Sequence, residues 1–479
     1  MGQEIDTCQF TEHDFEQFSR RLQQETALLA SWFQEKHFAV DASIGGFELE
    51  AWLVDRYCRP APINEAYLER LQNPLVVPEL AQFNVEFNTP ARRLEGRALH
   101  YMEEELGRLW NFSDRVAGEF SARLAMVGIL PTVRQQELTV ASMTPRARYR
   151  ALNEQVMRLR QGRPLRLDIE GIDALHLEHD DVMLEAAATS FQLHLQVKPS
   201  EAVAFYNTAL VLSAPMMAAT TNSPFLFGKA LWEETRIPLF EQSVAIGGDI
   251  HGDNPVYRRV TFGSGYLRSS LLELFLENLA HYPPLLPECQ ATPPAELYHL
   301  RLHNGTIWRW NRPLIGFDKA GNPHLRLEHR VMPAGPSIVD MIANAALFYG
   351  LLHRLGRTAP LPEQLLSFAQ SRANFYTAAR SGLQAEIIWL NGITVELRQL
   401  LLEELLPLAR QGLKSLDIHR ADIDTYLGII EARLRSGRTG AAWQRAYVAR
   451  HGGDMQALTA AYLHRQRSGL PVHEWDVSG

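Results

Sequence analysis

Apolar and polar residues alternate through five short segments of this chain, and within each the acids, amides, imidazoles or guanidinium groups fall on one parity. In Phe47-Glu48-Leu49-Glu50-Ala51-Trp52-Leu53 the alternation predicts a strand. Phe47, Leu49, Ala51 and Leu53 face a core, and the two carboxylates stand side by side on the opposite face. Phe83-Asn84-Val85-Glu86-Phe87-Asn88 repeats the pattern with Asn84, Glu86 and Asn88 on its polar side. Phe191-Gln192-Leu193-His194-Leu195-Gln196-Val197 does so with Gln192, His194 and Gln196. Tyr298-His299-Leu300-Arg301-Leu302-His303 and His324-Leu325-Arg326-Leu327-Glu328-His329-Arg330 alternate as well, the second pairing Glu328 with Arg330. Such strands predict a sheet with one apolar face and one reactive face.

Helical spacing lies between them. Glu12 to Lys36 carries Phe15, Phe18, Leu22, Leu28 and Trp32 beside charged positions. Further helices are expected over Leu99 to Leu124, Pro145 to Gln161, Glu201 to Met217, Ser270 to His281 and Ser337 to Leu355. Ser337 with Asp340 three residues on marks a helix start, which leaves Arg330 on a strand followed by the turn Pro333-Ala334-Gly335-Pro336. From about Pro360, Leu, Ala, Gln and Arg dominate at helical spacing, as in Leu397 to Leu413 and Ile423 to Leu434. Residues 1–359 are therefore expected to form the catalytic body, and residues 360–479 a helical region packed on it. Mixed runs of strand and helix favour an α+β architecture over a regular parallel βαβ series.

Composition excludes some functions. A chain of 479 residues, 46% hydrophobic and 21% charged, can bury a substantial core. A net charge of -8 and a pI near 6.1 argue against a nucleic-acid partner held by phosphate neutralisation, so small molecules are the expected partners. Cys8, Cys58 and Cys289 show no CxxC or zinc spacing; a reducing cytoplasm fits, and no disulfide framework is expected. The acidic start, Met1-Gly2-Gln3-Glu4-Ile5-Asp6, is unlike a leader, and no uninterrupted apolar run approaches the roughly 20 residues that span a bilayer. No membrane is expected, and homo-oligomerisation is left open. Neither a strand-borne GxGxxG nor a GxxxxGK[ST] loop occurs, which disfavours a Rossmann or P-loop nucleotide site.

The chemistry follows from the acids. Glu48, Glu50, Glu79, Glu86 and Glu328 are hard oxygen ligands of the kind Mg²⁺ prefers, and packed together they require a compensating positive charge. A lone ExE is usually two solvated acids; here the pattern recurs. Glu79, in Val77-Pro78-Glu79-Leu80, reads equally as a turn acid. His194 alone reads as a core histidine, but Gln192 and Gln196 on its face make a ligand or nucleotide contact as good a reading. Arg236 either pairs with Glu233 or Glu234 or forks a substrate carboxylate. In His303-Asn304-Gly305-Thr306-Ile307-Trp308-Arg309-Trp310-Asn311-Arg312, the groups Asn304, Arg309 and Arg312 are candidate nucleotide contacts, against a reading as surface residues. Trp308 and Trp310 read as packing residues, one of which could flank an adenine. Glu328 and Arg330, two residues apart on a strand, can grip one phosphoryl group from two sides.

The ordered series Glu48-x-Glu50, Glu79 to Glu86, His194 and Glu328-x-Arg330 resembles the metal and phosphate framework of the glutamine synthetase superfamily. Gly45-Gly46-Phe47-Glu48-Leu49-Glu50, Pro78-Glu79-Leu80, Met143-Thr144-Pro145-Arg146, Ala187-Ala188-Thr189-Ser190-Phe191-Gln192-Leu193-His194, Asn222-Ser223-Pro224 and Arg236-Ile237-Pro238-Leu239-Phe240 look like the glutamate-cysteine ligase type 2 family of carboxylate-amine ligases. The resemblance runs from about residue 40 to 345. It implies an antiparallel sheet forming an active-site bowl flanked by helices. ATP and two or three Mg²⁺ ions would be bound by Glu48, Glu50, Glu79, Glu86 and Glu328, with His194 near the phosphates. Arg330 would stabilise the phosphoryl group in transit, and Arg236 would meet the substrate carboxylate. The implied reaction joins glutamate, or a related carboxylate, to an amine such as cysteine through an acyl phosphate. Two departures bear on metal number and nucleotide contacts: Leu49 separates the first two acids, and Gln192 with His194 stands where many relatives carry His-x-His. The rival readings are the same chemistry on a different amine, a non-catalytic nucleotide-binding regulator, and phosphoryl transfer to a guanidino group.

Overall fold

Eight antiparallel strands form the sheet that the alternation predicts. They are β1 (Ile44–Asp55), β2 (Val76–Pro78), β3 (Asn84–Asn88), β4 (Arg92–Arg93), β5 (Ala122–Ala125), β6 (Phe191–Val197), β7 (Asn311–Phe317) and β8 (Pro323–His329). The computed structural model describes residues 4–41, 43–246 and 258–478; the first three residues of the acidic N-terminal start lie outside them. The order is β7-β8-β6-β1-β3-β2, with β4 and β5 pairing the two ends of the long β1. The register aligns the polar positions from strand to strand. Arg312 stands opposite Glu328, Glu328 opposite His194, Gln192 opposite Glu48, and Glu48 and Glu50 opposite Asn88 and Glu86. Because side chains alternate with a period of two, this register puts all of them on one face.

The other face is apolar and lies under two helices, Ala202–Thr220 and Ile338–Leu355. Phe348 stacks on His329 at 4.1 Å, and the Tyr349 hydroxyl reaches the carbonyls of Gly46 and His194, each at 3.1 Å. Both helices are long and apolar enough to cross a membrane, but 89% and 78% of the two stretches are buried, which makes them core helices of this fold. Helices Ala147–Leu159, Leu272–His281 and Tyr298–Asn304 close over the polar face, so the sheet is covered on both sides.

Two expected elements differ. Tyr298 to His303, whose alternation suggested a strand, is a helix. Its histidines are buried among partners rather than facing solvent: His299 Nδ1 meets Glu25 Oε1 at 2.6 Å, and His303 Nε2 donates to the Asn278 carbonyl at 3.2 Å. A helix that buries all but Arg301 carries almost no polar stripe, so its period is hidden. The helix expected over Leu99 to Leu124 stops at Glu119; Ser121 turns with φ 56°, and Ala122–Ala125 crosses back to pair with β1.

Beyond residue 360 the chain is mainly helical. Helices Leu406–Ser415 and Arg420–Ser436 pack on Ile338–Leu355. A buried ion pair, Arg433 Nη2 to Asp340 Oδ1 at 2.7 Å, joins the last of these to the core helix. Further out, Gln466 donates to the Pro336 carbonyl at 2.6 Å and the Tyr462 hydroxyl to that of Met126 at 3.0 Å, so the end of the chain grips the turn that follows Arg330. Leu406–Ser415 approaches the core helix where Gly412 meets Gly350: a Cβ on Gly412 would lie 1.8 Å from the Gly350 carbonyl oxygen. Gly412→Ala should therefore cost about 1–3 kcal/mol and lower the melting temperature by a few degrees. Gly107→Ala, in a helix with nothing near its added methyl, should leave it unchanged or slightly raised. Thermal melts of the two variants decide this; equal shifts would remove the close helix contact as a constraint.

Candidate active site

The polar face of the sheet opens into a chamber of about 180 Å³. Glu48, Glu50, Glu79, Glu86, Gln192, His194, Asn304, Arg312, Glu328 and Arg330 all line it. Glu328 sits in a fork: Arg312 Nε and Nη2 reach its two oxygens at 2.7 and 2.9 Å, and Arg330 Nη1 lies 3.3 Å away. Gln192 links Arg330 to Glu50, accepting from the guanidinium through Oε1 and donating to Glu50 Oε1 at 2.7 Å. The Ser190 amide donates to the other Glu50 oxygen at 2.6 Å, and Asn88 Nδ2 donates to Glu86 at 2.9 Å. Glu328 and Glu50 are thus aimed by side chains and an amide from adjoining segments, and Glu86 by Asn88 two residues on along its own strand.

One subset is shaped for a cation. A carboxylate oxygen from each of Glu48 and Glu328 and a ring nitrogen of His194 all lie within 4.8 Å of one another. His194 Nε2 is 3.4 Å from Glu48 and 3.8 Å from Glu328, and neither of its buried ring nitrogens has a hydrogen-bond partner. Two carboxylates and an unengaged imidazole converging this closely fit a divalent ion.

Electrostatics divide the acids. Burial would raise Glu328, but the guanidinium groups of Arg312 and Arg330 outweigh it and hold the carboxyl down at about 2. Burial, then the negative charge of Glu48, pushes Glu86 up to about 7. Burial, then Glu86, Glu50 and Glu185, carries Glu79 well above the carboxylate range. Burial raises Glu50 despite Arg330 and the Ser190 amide. Like charges crowded out of water favour the protonated form, and a bound cation reverses that preference.

Not every expected residue faces the chamber. Arg309 turns away: it is fully buried, with Nη2 2.9 Å from Glu277 and Nη1 2.7 Å from Asn278 Oδ1, and it fastens the Leu272–His281 helix. The nucleotide contact expected of it is replaced by this framework role, because two good acceptors already occupy its fork. Arg236 lines a small recess beside Arg330, but it pairs with Glu234 at 3.1 Å and donates to the carbonyls of Arg330 and Val331. The pairing reading of Arg236 describes this geometry, with the difference that the pair is buried rather than solvated. Asn304 lines the chamber while its amide donates to Pro313 O at 2.9 Å and accepts from Asn278 at 3.0 Å. Trp308 lines the chamber, whereas Trp310 is core, its indole donating to Glu241 at 2.9 Å.

Among the polar lining residues, Arg148, Tyr149, Glu185, Arg301 and Arg326 escaped the sequence reading as site residues. Arg326 shares the parity of Glu328 and was legible from the same alternation. Arg148 is 8% exposed on a helix, which no local pattern announces. Glu185 is a single acid in the apolar stretch Val182-Met183-Leu184-Glu185-Ala186-Ala187, a short 3-10 turn without periodic partners.

Comparison with known proteins agrees with this geometry. The model of glutamate-cysteine ligase family 2 matches residues 44–461. No curated protein matches the sequence. Solved structures of similar fold include a glutamate–cysteine ligase from Francisella tularensis in complex with AMP, at 11% identity and a TM-score of 0.58, covering 92% of this chain and 91% of that one. A bifunctional glutathione synthetase from Pasteurella multocida is similar at 11% identity and a TM-score of 0.52, over 93% of this chain and 55% of that one. The protein is a carboxylate–amine ligase by class. The chain belongs to glutamate-cysteine ligase family 2.

The raised acids make a pH prediction. A carboxyl held above its unfolded value keeps its proton in the folded state after the unfolded chain has lost it, so stability falls as pH rises through the folded pKa. Glu86, near 7, and Glu185, pushed by burial and Glu50 to about 8, spread this loss from the ordinary carboxyl value of about 4.5 up to about pH 8, so that its last part falls above pH 7. Buried His303, His329 and His353, held by burial at about 4, 3 and 3, act in the opposite sense, but only up to about pH 6.5. Glu328 also adds stability that is lost only as pH falls from about 4.5 toward 2. Metal-free protein should therefore melt lower at pH 9 than at pH 7, and millimolar Mg²⁺ or Mn²⁺ should raise the melting temperature more at the higher pH. A melting temperature flat in both variables would contradict the crowded-acid picture.

Proposed function

We propose that this protein joins the side-chain carboxylate of glutamate to an amine in an ATP- and Mg²⁺-dependent reaction, with cysteine the first candidate amine and γ-glutamyl phosphate the intermediate. The observation that carries this reading is the joint presence, in one chamber, of a divalent-cation donor set and the paired arginines on Glu328. Family membership and the AMP named with the Francisella tularensis ligase support a nucleotide and these substrates. Free thiols at Cys8, Cys58 and Cys289 suit a reducing cytoplasm.

A carboxylate oxygen is a poor leaving group, so the acid must be activated before an amine can displace it. Its oxygen attacks the γ-phosphorus of ATP and ADP departs. The ammonium gives up one proton to solvent, the freed amine nitrogen bonds to the acyl carbon as the C–O bond to phosphate breaks, and the second proton passes from nitrogen to the departing phosphate. Glu48, His194 and Glu328 would hold Mg²⁺, with Glu86 beside them, and the bound metal would neutralise polyphosphate charge and polarise the phosphoryl group. Arg330 stabilises charge on the phosphoryl oxygens, and Gln192 and Glu328 fix its plane. Arg312 orients Glu328 through its bidentate contact. Arg236 holds the backbone at Arg330 and Val331, and so positions Arg330 rather than touching phosphate.

Purified protein with ATP, Mg²⁺ and glutamate should release ADP and phosphate when cysteine, another amino acid or a polyamine is supplied, with the amide identified by mass. Release with an amine other than cysteine keeps the chemistry and replaces the substrate; no release with any pair moves the chain to a nucleotide-binding regulator. Glu328→Gln should reduce kcat by at least about 100-fold. Arg330→Lys should lower kcat more than ATP affinity, because the planar fork is lost while the charge remains. Equal losses of both would make Arg330 a binding residue.

A further inference from the structure

Two small recesses adjoin the chamber, and Glu50 and Glu185 line both. One contains Arg236, Arg330, Phe240 and Trp310. The other contains Glu79, Asn84, Leu80 and Thr189, so three carboxylates line it with no cationic side chain among them. Glu50 is held by Ser190 and Gln192, and Glu328 by Arg312 and Arg330, whereas the Glu185 carboxylate has no hydrogen bond or ion pair among the described residues. Asn84, 3% exposed, lines the same recess with both Oδ1 and Nδ2 unpartnered. A buried amide with neither atom satisfied is uncommon, and beside an unpaired acid it marks a place where a ligand completes the hydrogen bonding.

Three carboxyl groups without a cationic side chain favour a positive ligand, and a small one, since the recess has room for one water-sized group. A metal ion fits poorly. Mg²⁺ draws its ligands to about 2.1 Å, and among the described residues the donors close enough to converge on one ion are those of Glu48, His194 and Glu328, not those of Glu50, Glu79 and Glu185. An ammonium group hydrogen-bonds at about 2.8–3.0 Å and tolerates acceptors spaced more widely. We propose that this recess receives the ammonium head of the amine substrate, with Glu185 as its charge partner and Asn84 Oδ1 as a hydrogen-bond acceptor. The assignment rests on the ligase reading above. It selects primary amines, because a nitrogen carrying further alkyl groups exceeds the recess. It also sets the amine beside Arg330, where the acyl phosphate is formed, since Glu185 lines the Arg330 recess as well.

The test compares wild type with Glu185→Gln and Asn84→Ala, using cysteine, or whichever primary amine of the panel supports turnover, and hydroxylamine, which is largely uncharged near neutral pH. Glu185→Gln should raise KM for the charged amine at least about tenfold and leave KM for ATP and glutamate within about twofold. Its loss with hydroxylamine should be much smaller than with the charged amine, and its Mg²⁺ requirement should not move. Asn84→Ala should raise the same KM by a smaller factor, and it decides the matter alone if Glu185→Gln does not fold. Equal loss with both nucleophiles, or a raised Mg²⁺ requirement, would overturn the assignment and make Glu185 part of the metal set. If wild type turns over with no amine, the ligase reading fails and this one with it; if wild type turns over but neither variant is amine-selective, only this assignment fails.

Discussion

Charge crowding governs the architecture. Six carboxylates, those of Glu48, Glu50, Glu79, Glu86, Glu185 and Glu328, line one chamber partly covered by helices, and their mutual repulsion would open a looser structure. Restraint runs outward in steps. Glu328 is clasped by Arg312 and Arg330, Arg330 is fixed by Gln192, and Gln192 is held by Glu50. The backbone beneath Arg330 is tied to Arg236, Arg236 to Glu234, and Glu234 to the Ser223 hydroxyl and the Asn222 amide. The site is therefore continuous with the core of the molecule, and a change several residues from the chamber can still tilt an acid within it.

The parts legible in the sequence are those where one face of a strand is apolar and the other carries chemistry. Glu48, Glu50, Glu86, His194 and Glu328 share the parity that their segments showed, and the antiparallel register set them on one face. What was not legible depends on partners distant in sequence. The Tyr298–Asn304 helix looked like a strand because Glu25 and Asn278, far along the chain, satisfy its histidines. Arg309 looked like a phosphate contact because nothing local reveals that Glu277 and Asn278 occupy its fork. The hairpin of Leu165–Glu170 and Ala174–His179 alternates cleanly in its first strand, as Leu-Arg-Leu-Asp-Ile-Glu. Its acids and His176 are exposed and pair with one another, so this alternation marks a hairpin outside the chamber.

The structural likeness to the Francisella tularensis ligase extends over almost the whole chain at 11% identity. At such distance few residues are shared, and the resemblance lies in how strands and helices are arranged. In that arrangement the strand register cannot drift by one position: a slip of one residue in β6 would send His194 and Gln192 into the helix layer and bring Leu193 and Leu195 to the chamber.

The two apolar helices have a consequence for how the chain reaches its folded state. Ile338–Leu355 buries nearly all of its surface, Asp340 and Asn344 included, and part of its cover comes from Leu406–Ser415 and Arg420–Ser436, which follow it in the chain. At about 5–20 residues per second, a ribosome completes that cover only about 3–20 s after the helix is made. During this interval the nascent chain presents a greasy cylinder beside a half-built sheet. Production of the protein thus depends on whatever shields the chain in those seconds, and the C-terminal helices, remote from the chemistry, set when that dependence ends.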